Sequence, residues 1–458
     1  MFFGRETELR RLNNLYESRK FECVVLHGRH RAGKTTLIRE FIKDKKAIYF
    51  SARETSNIEN LQNLIRATKG YQKDIGSELW DAGSFEEVLE YLYILSRSER
   101  VLIIIDDYQY LTQSQKGISE LICNKIDKNL RYSRLMIMVC GSTEPILERE
   151  ALSYDSPFYG RRTALINLMP FTFEEVRQYY DNFNIFDATI IYGLTGGVPK
   201  YLELMSPDLP IEDNIKRAYF DTSSFLFDEP ANILRRVVRD PTYYNAVLRA
   251  IAIDNNKNSE ISTAVGLDTA ACTAYLKNLI SMEIVSKHTP VTEKAGKKTI
   301  YEIDDYLFRF WYRFVPENIS QVRIGAVSRI WRDIAKYIPH YMDKVFIDIC
   351  MQWLIKQNTL GKLEINAAEF GRWWGLNPVS KEMTSIPIIA YADDTNAIFG
   401  DSVWTEEPVD AVVLESLINR SRLFKYRNKY YYLFSFSGFT PECIQFAEKQ
   451  GANLIIIE

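Results

Sequence analysis

Eight consecutive residues, Gly28-Arg29-His30-Arg31-Ala32-Gly33-Lys34-Thr35, carry the spacing Gly-x4-Gly-Lys-Thr. Each residue type there has a task in holding a polyphosphate. Gly28 and Gly33 let the main chain curl until successive N–H groups, those of Arg31 and Ala32 included, face phosphate oxygens. Lys34 reaches the outer phosphates as a point charge, and Thr35 offers a hydroxyl to Mg2+. Thr36 adds a contact at the α-phosphate, and the amino end of the following helix supplies partial positive charge. A second constellation completes the chemistry. Asp106-Asp107 closes the apolar run Val101–Ile105, and a buried strand ending in carboxylates holds Asp106 near Thr35 and the metal. Asp107 then faces the water that attacks the terminal phosphate. The reaction these groups could run is hydrolysis of a Mg-nucleotide.

Such groups must be brought together by a particular scaffold. The runs Phe21–His27, Ala47–Ser51, Val101–Ile105 and Leu135–Cys140 are short, apolar and rich in β-branched residues. Between them lie Lys34–Ile42 and Phe85–Ser96, which have helical periodicity. Fully apolar strands alternating with helices predict an α/β fold with a parallel sheet covered on both faces. The phosphate motif sits between the first strand and its helix, the context that gives the pattern its meaning.

Taken together, several segments are similar to one family. Phe3-Gly4-Arg5-Glu6, Gly28–Thr35, IIIDDYQYL from Ile103 to Leu111, CGST from Cys140 to Thr143, SPFYGRRT from Ser156 to Thr163 and TGGVPKYL from Thr195 to Leu202 resemble the archaeal-type P-loop ATPases near the AAA+ and STAND classes. The resemblance implies ATP with Mg2+ as ligands. It also implies that Gly4 and Arg5 lie beside base and sugar, and that Ser142 and Thr143 sense the γ-phosphate. Arg161 or Arg162 would contact phosphate within the chain or across a subunit interface. Pro199 would pack near adenine and couple nucleotide to a helical subdomain. Gly196-Gly197-Val198-Pro199 reads equally as a helix stop followed by a turn. Relatives carry Glu where this chain has Asp107. The shorter acid places its carboxylate about 1 Å or more from its best position, which can slow hydrolysis on the order of a hundredfold while leaving binding intact. That suits a timed switch rather than a fast motor.

The organisation expected is a P-loop core over 1–170, a helical lid over 171–230, a winged helix over 231–322 and a C-terminal nuclease-like domain over 323–458. Asp228-Glu229-Pro230 reads as the edge of the lid. Three helices, Pro241–Ile253, Ser259–Val265 and Asp268–Ser281 with Asp268 as N-cap, precede the strands Ile284–His288 and Thr299–Ile303. That order is the winged-helix pattern. Its third helix has Lys277 as its one basic residue, a poor footprint for DNA phosphates, whereas the hairpin carries Lys287, His288, Lys294, Lys297 and Lys298. DNA binding and docking onto the rest of the chain both stay open. The aromatic helix Tyr306–Val315 is expected to dock this module on its neighbours.

The C-terminal region resembles restriction nucleases of the PD-(D/E)xK type through Gly371-Arg372-Trp373-Trp374-Gly375, Ile386–Ala390 and Phe399–Trp404, followed by short strands and one helix. On that alignment the metal-binding Asp is Pro387 and the catalytic Lys is Val403, with Asp401 keeping a carboxylate. Metal-assisted cleavage needs clustered acids and a cation, so the domain reads as nuclease-like without nuclease activity, its Trp373, Trp374 and Trp404 kept for packing.

Composition bounds the remaining choices. Lys+Arg 57 against Asp+Glu 60 over 458 residues gives a net charge of −3, so the whole chain has no strong electrostatic pull toward nucleic acid or membrane. Six cysteines without CxxC spacing and four His exclude a zinc pattern and suit a reducing cytosol. No signal peptide or membrane span is read, and the expected location is cytoplasmic. Cys123-Asn124-Lys125-Ile126-Asp127 matches a guanine-recognition string by letter. It falls within an amphipathic helix rather than at a strand end, which favours ATP over GTP. Partners left open are ATP, DNA through the winged helix, a protein client and a second copy of the chain.

Overall fold

A computed structural model describes residues 2–71, 82–180, 182–293, 298–378 and 381–458. The chain divides into two units. The first comprises Met1–Pro170 together with Val198–Lys200 and Ser281–Glu283, and the second contains the rest. Lys294 and Lys297 of the expected basic hairpin lie outside the described residues.

In the first unit the apolar runs become β1 (Glu22–Gly28), β2 (Ile48–Ser51), β3 (Val101–Asp106), β4 (Leu135–Ser142) and β5 (Ala164–Asn167). All neighbours are parallel, in the order β2-β3-β4-β1-β5. β1, β3 and β4 are buried along their whole length, because helices cover both faces and no side chain of a central strand reaches water. One face carries Val25, Ile103, Ile105 and Val139 against Leu92, Ile122 and Phe158. The other carries Val24, Leu26, Ile104 and Met138 against Leu12, Leu37 and Phe41. Each fully buried aliphatic side chain contributes about 2 kcal/mol, so the two layers fix the strand ends to which the polar residues are attached.

The second unit begins with helices. Thr172 caps Phe173–Tyr179 through a reciprocal capping box with Glu175, and Ile185–Thr195 ends at Gly196. Phe225–Val237 is one continuous helix, so the expected break at Asp228-Glu229-Pro230 is corrected: Pro230 lies inside it. A mid-helix proline sacrifices a hydrogen bond and costs about 3 kcal/mol. Burial of Leu226, Phe227, Pro230, Ile233 and Leu234 outweighs that cost, and no local signal reports it.

Thr242–Ala252, Asn258–Val265 and Thr269–Ser281 form three helices. Asp268 caps the third, accepting from the amides of Ala270 and Ala271 at 2.8 Å each. The antiparallel strands β6 (Val285–His288) and β7 (Ile300–Ile303) follow. The aromatic helix Tyr306–Phe314 docks as expected: Trp311 Nε1 donates to Phe227 O at 2.7 Å, and the Tyr312 hydroxyl donates to Asn245 Oδ1 at 2.5 Å.

The last sheet is mixed. β8 (Glu369–Leu376), β9 (Met383–Tyr391) and β10 (Asn396–Ser402) are antiparallel, while β11 (Asn428–Ser435) and β12 (Asn453–Ile456) continue parallel from β10. Two helices, Ala411–Ser421 and Pro441–Gln450, cross between parallel strands, where the sequence reading expected one. The second is signalled locally by Thr440 as N-cap and Pro441 at the first helical position. Among the described residues no helix is long and apolar enough to cross a membrane.

Candidate functional site

The carboxyl ends of β1, β3 and β4 meet at one edge of the first sheet, and the phosphate motif connects β1 to the helix Lys34–Ile42. Gly28 is needed there for a reason beyond curling the loop. Its φ is 155°, and a Cβ would stand 2.3 Å from the Leu168 carbonyl oxygen as β1 passes the end of β5. Lys34 curls back over the loop, its Nζ donating to Gly28 O at 2.9 Å, Arg29 O at 2.8 Å and Ser142 Oγ at 3.3 Å. Burial lowers the pKa of its ammonium from the usual lysine value, against the pull of nearby anionic groups that include Asp106, Asp107 and Glu144.

The two acids stand as the motif spacing requires. Thr35 Oγ1 donates to Asp106 Oδ2 at 3.0 Å, and the Asp107 amide donates to Asp106 Oδ1 at 3.0 Å. A hydroxyl and a carboxylate side by side are the hard oxygen donors that Mg2+ selects, so the residues present fit that ion. Burial first, and then the charge of Asp106, push the Asp107 carboxyl above the usual aspartate value. Asp107 also holds a left-handed backbone, φ 54°. So do Arg5 at 71° and Arg31 at 66°. A non-glycine residue in that region costs roughly 1 kcal/mol or more. Three such residues gathered at one strand edge mark a site whose geometry is held against local preference.

The other predicted residues distribute unequally. Arg5 is buried, and its guanidinium donates to Ala32 O at 3.3 Å, which brings Gly4-Arg5 to the phosphate loop. Pro199 belongs to the first unit and stands beside Gly33, 3.8 Å from where a Cβ would be. The preceding glycines serve as helix stop as well: Gly196 caps its helix, and a Cβ on Gly197 would stand 2.0 Å from Phe171 O. Ser142 ends β4 against Lys34, and the Thr143 amide donates to Gly28 O at 3.1 Å. Thr36 is exposed on the first turn of its helix.

Arg161 and Arg162 have other partners in this structure. They enter β5 at its amino end, where the Thr163 amide donates to Cys23 O at 2.8 Å. The phosphate loop lies at the opposite end of the parallel neighbour β1, roughly 16 Å away by strand rise. Arg161 donates to Asp127 Oδ2 at 2.8 Å, and Arg162 to the carbonyls of Ala151 and Leu152 at 2.6 and 2.9 Å. Strand polarity, invisible in the motif, decides this. The string Asn124-Lys125-Ile126-Asp127 lies in the helix Ile118–Lys128 as expected, with Lys125 paired to Glu86 and Glu90.

Four residues escaped the sequence reading. Tyr49 donates to Asp106 Oδ2 at 2.7 Å, and Ser51 to Asp107 Oδ2 at 3.3 Å. They alternate along β2 and face the acids because β2 pairs with β3, Ser51 opposite Asp106. His30 and Glu144 meet across the loop with Nε2 and Oε1 2.8 Å apart. His27 sits close by, its pKa pulled down to about 4 by burial, then by Lys34 and Arg162, which keeps it neutral. The signal that could have found Ser51 and Tyr49 is their polar character at the mouth of an apolar strand.

The positions singled out by the nuclease resemblance lie in the last sheet. Asp401 of β10 and Pro387 of β9 each adjoin the last pair between the two strands, Gly400–Ile388. Asp401 accepts from Arg420, whose guanidinium also donates to Ser385 O at 2.6 Å and Ser416 O at 3.2 Å. A side-chain cation therefore occupies the mouth of this acid. Val403 packs against the local apolar core, Trp373 meets Phe424 edge-on, and Trp404 stacks on Phe186 at 4.8 Å.

Comparison with known proteins bears on this geometry. A family model described as an ATPase domain predominantly from Archaea matches residues 2–205. A second, described as archaeal and bacterial proteins of unknown function, matches residues 311–415. The uncharacterized protein MJECL04 of Methanocaldococcus jannaschii is 30% identical over 413 residues, covering 89% of this chain and 88% of that protein. The uncharacterized ATP-binding protein MJ0423 of the same organism is 41% identical over 46 residues, 10% of this chain and 78% of its own length. Among solved structures, the Walker-type ATPase PABY2304 of Pyrococcus abyssi superposes with a TM-score of 0.55 at 23% identity, covering 68% of this chain and 96% of that one. This last likeness concerns fold.

Proposed function

The chain belongs to the archaeal-type P-loop ATPase family, and on that premise we propose that it is an ATP-hydrolysing molecular switch that works with Mg2+. The observation that carries the reading is the close set Lys34, Thr35, Asp106 and Asp107 at the carboxyl edge of the parallel sheet, with Thr35 and Asp106 3.0 Å apart. The loop amides and Lys34 bind the phosphates, while Gly4, Arg5 and Pro199 border the nucleoside. Thr35 and Asp106 hold the metal, which when bound neutralises charge on the phosphate oxygens. Asp107, oriented by Ser51, takes a proton from the attacking water. The new bond forms between that oxygen and the γ-phosphorus, the bond from phosphorus to the β–γ bridging oxygen breaks, and ADP leaves. ATP is preferred to GTP because the string resembling a guanine reader is helical and its charges are spent on ion pairs.

What supports a switch is the grip of distant segments on the loop: Pro199 against Gly33, and Glu283 with Arg29 at 3.4 Å. Three helices and a hairpin in winged-helix order suit an intramolecular clamp better than a DNA reader. The stretch beyond β6 is engaged by the last sheet: the Val291 amide donates to Arg372 O at 2.9 Å, and Trp374 Nε1 donates to Lys298 O at 3.1 Å. Glu302 of β7 is paired with Lys344 at 2.7 Å and with Arg372. A DNA-binding regulator would have to give up these contacts. The last domain is read as nuclease-like and inactive, since Asp401 is answered by Arg420. Arg161, about one-third exposed and paired with Asp127, is read as reaching a second copy rather than its own loop. The assigned location is cytoplasmic. The experiment is ATP hydrolysis by the wild-type chain beside Lys34→Ala and Asp107→Asn, with and without DNA. Turnover lost in both variants and unmoved by DNA supports the reading; wild-type-level turnover in Lys34→Ala removes it.

A further inference from the structure

His30 is one of the variable positions of the phosphate motif, yet both of its ring nitrogens have a side-chain partner. Its Nδ1 lies 3.2 Å from Ser142 Oγ, and its Nε2 lies 2.8 Å from Glu144 Oε1. Ser142 Oγ in turn lies 3.3 Å from Lys34 Nζ. With the imidazole neutral and Glu144 ionised, one assignment gives every link a donor and an acceptor. Lys34 donates to Ser142, Ser142 donates to His30 Nδ1, and His30 Nε2–H donates to Glu144. Glu144 is buried, so its carboxylate depends on that donor. Both ends of the chain matter: Lys34 is the group that reaches the outer phosphate, and Glu144 opens the segment running from β4 into Pro145–Leu147.

We propose that His30 and Glu144 form a latch through which the third phosphate of the nucleotide is distinguished from its absence, His30 acting as a positioning residue. The proposal rests on the nucleotide-binding reading above. An outer phosphate draws Lys34 Nζ and the Ser142 hydroxyl to its own oxygens. That takes from His30 Nδ1 the donor it now faces, and the coupled pair His30–Glu144 loosens with it. A diphosphate engages Lys34 but stops short of Ser142, and the link from Ser142 to His30 and Glu144 stays in place. ATP therefore works against the latch on binding, and ADP does not.

The test is direct titration of Mg-ATP and Mg-ADP into the full-length chain, wild type beside His30→Ala and Glu144→Gln. Removing the imidazole frees Ser142 and Lys34. The expected result is a rise in the ATP-over-ADP preference of about five- to tenfold, the lower range of couplings between linked sites, with ADP affinity held within about twofold. Glu144→Gln, close in shape, moves the ratio the same way by less. A ratio that stays within about twofold of wild type in both variants, or that falls, overturns the latch and leaves nucleotide binding standing. A wild-type chain that takes up neither nucleotide overturns the underlying reading instead.

Discussion

Two acids close two strands in this molecule, and their surroundings differ in kind. Asp106 ends β3 beside a threonine hydroxyl and a tyrosine phenol, neutral donors that leave its charge uncompensated by any ion pair among the described residues. Asp401 ends its part of β10 against the guanidinium of Arg420. Neutral donors orient a carboxylate and leave its charge for a cation that comes and goes. A partly buried guanidinium already paired with the acid satisfies that charge within the fold. The comparison teaches that an acid at a strand end is not yet a site; what stands opposite decides whether it can serve chemistry or only hold a fold together.

The comparison can be broken or sharpened by substitution, the largest effect first. Asp107→Asn should lower kcat for ATP hydrolysis by roughly 10²–10³, the usual contribution of a positioned general base, with KM changed only a few-fold. Asp107→Glu should raise kcat by up to about a hundredfold if the shorter acid is what slows the wild type, because misplacement by about 1 Å costs on that order. Steady-state kinetics on the three proteins separates these outcomes. In the last domain the prediction is thermodynamic instead. Arg420→Ala should destabilise by about 3 kcal/mol, since it leaves Asp401 buried and unpaired, and should leave ATP turnover unchanged. The double variant Asp401→Leu, Arg420→Met should regain most of that loss in urea unfolding. Loss of turnover in Arg420→Ala without loss of stability would contradict a purely structural pair.

A smaller effect lies in pH. Burial and Asp106 raise the Asp107 pKa, and hydrolysis needs the ionised form. The rate should therefore fall as pH drops through that raised value, above the range where an ordinary aspartate titrates, and Asp107→Asn should flatten this limb. The smallest effect belongs to Glu302. Burial opposes its ionisation, but Lys344 and Arg372 hold its pKa down to about 2. A depressed carboxylate contributes stability at pH above its ordinary value near 4.5, lost as pH falls through about 2. Acid unfolding of Glu302→Gln should begin from a lower plateau and lose less over that window.

How much of this was legible beforehand follows from how local each feature is. The loop from Gly28 to Thr35 is a contiguous motif between a strand and a helix, and Asp106-Asp107 follows one apolar run, so both could be read from letters. Tyr49 and Ser51 stand out only as polar letters at the mouth of an apolar strand; their role depends on β2 lying next to β3, a pairing across more than fifty residues of chain. The position of Arg161 and Arg162 was hidden for the same reason in reverse: their motif is local, but the end of the sheet they occupy is set by strand direction. Pro230 misled through a sound local rule overridden by burial. In the last sheet Pro387 and Val403, the departures from the nuclease pattern that the region resembles, could be read from letters. The arginine that fills the mouth of Asp401 comes from a helix nineteen residues on and shows only once the sheet is folded.

The central claim is that Lys34, Thr35 and Asp106 together grip a magnesium-bound triphosphate. Calorimetric titration of the wild-type chain and of Lys34→Ala with ATP, in magnesium and in EDTA, tests it most directly. The account predicts saturable one-site binding by the wild type that weakens by at least tenfold in EDTA and is lost in Lys34→Ala. Equal binding by both proteins, or binding indifferent to magnesium, would contradict it.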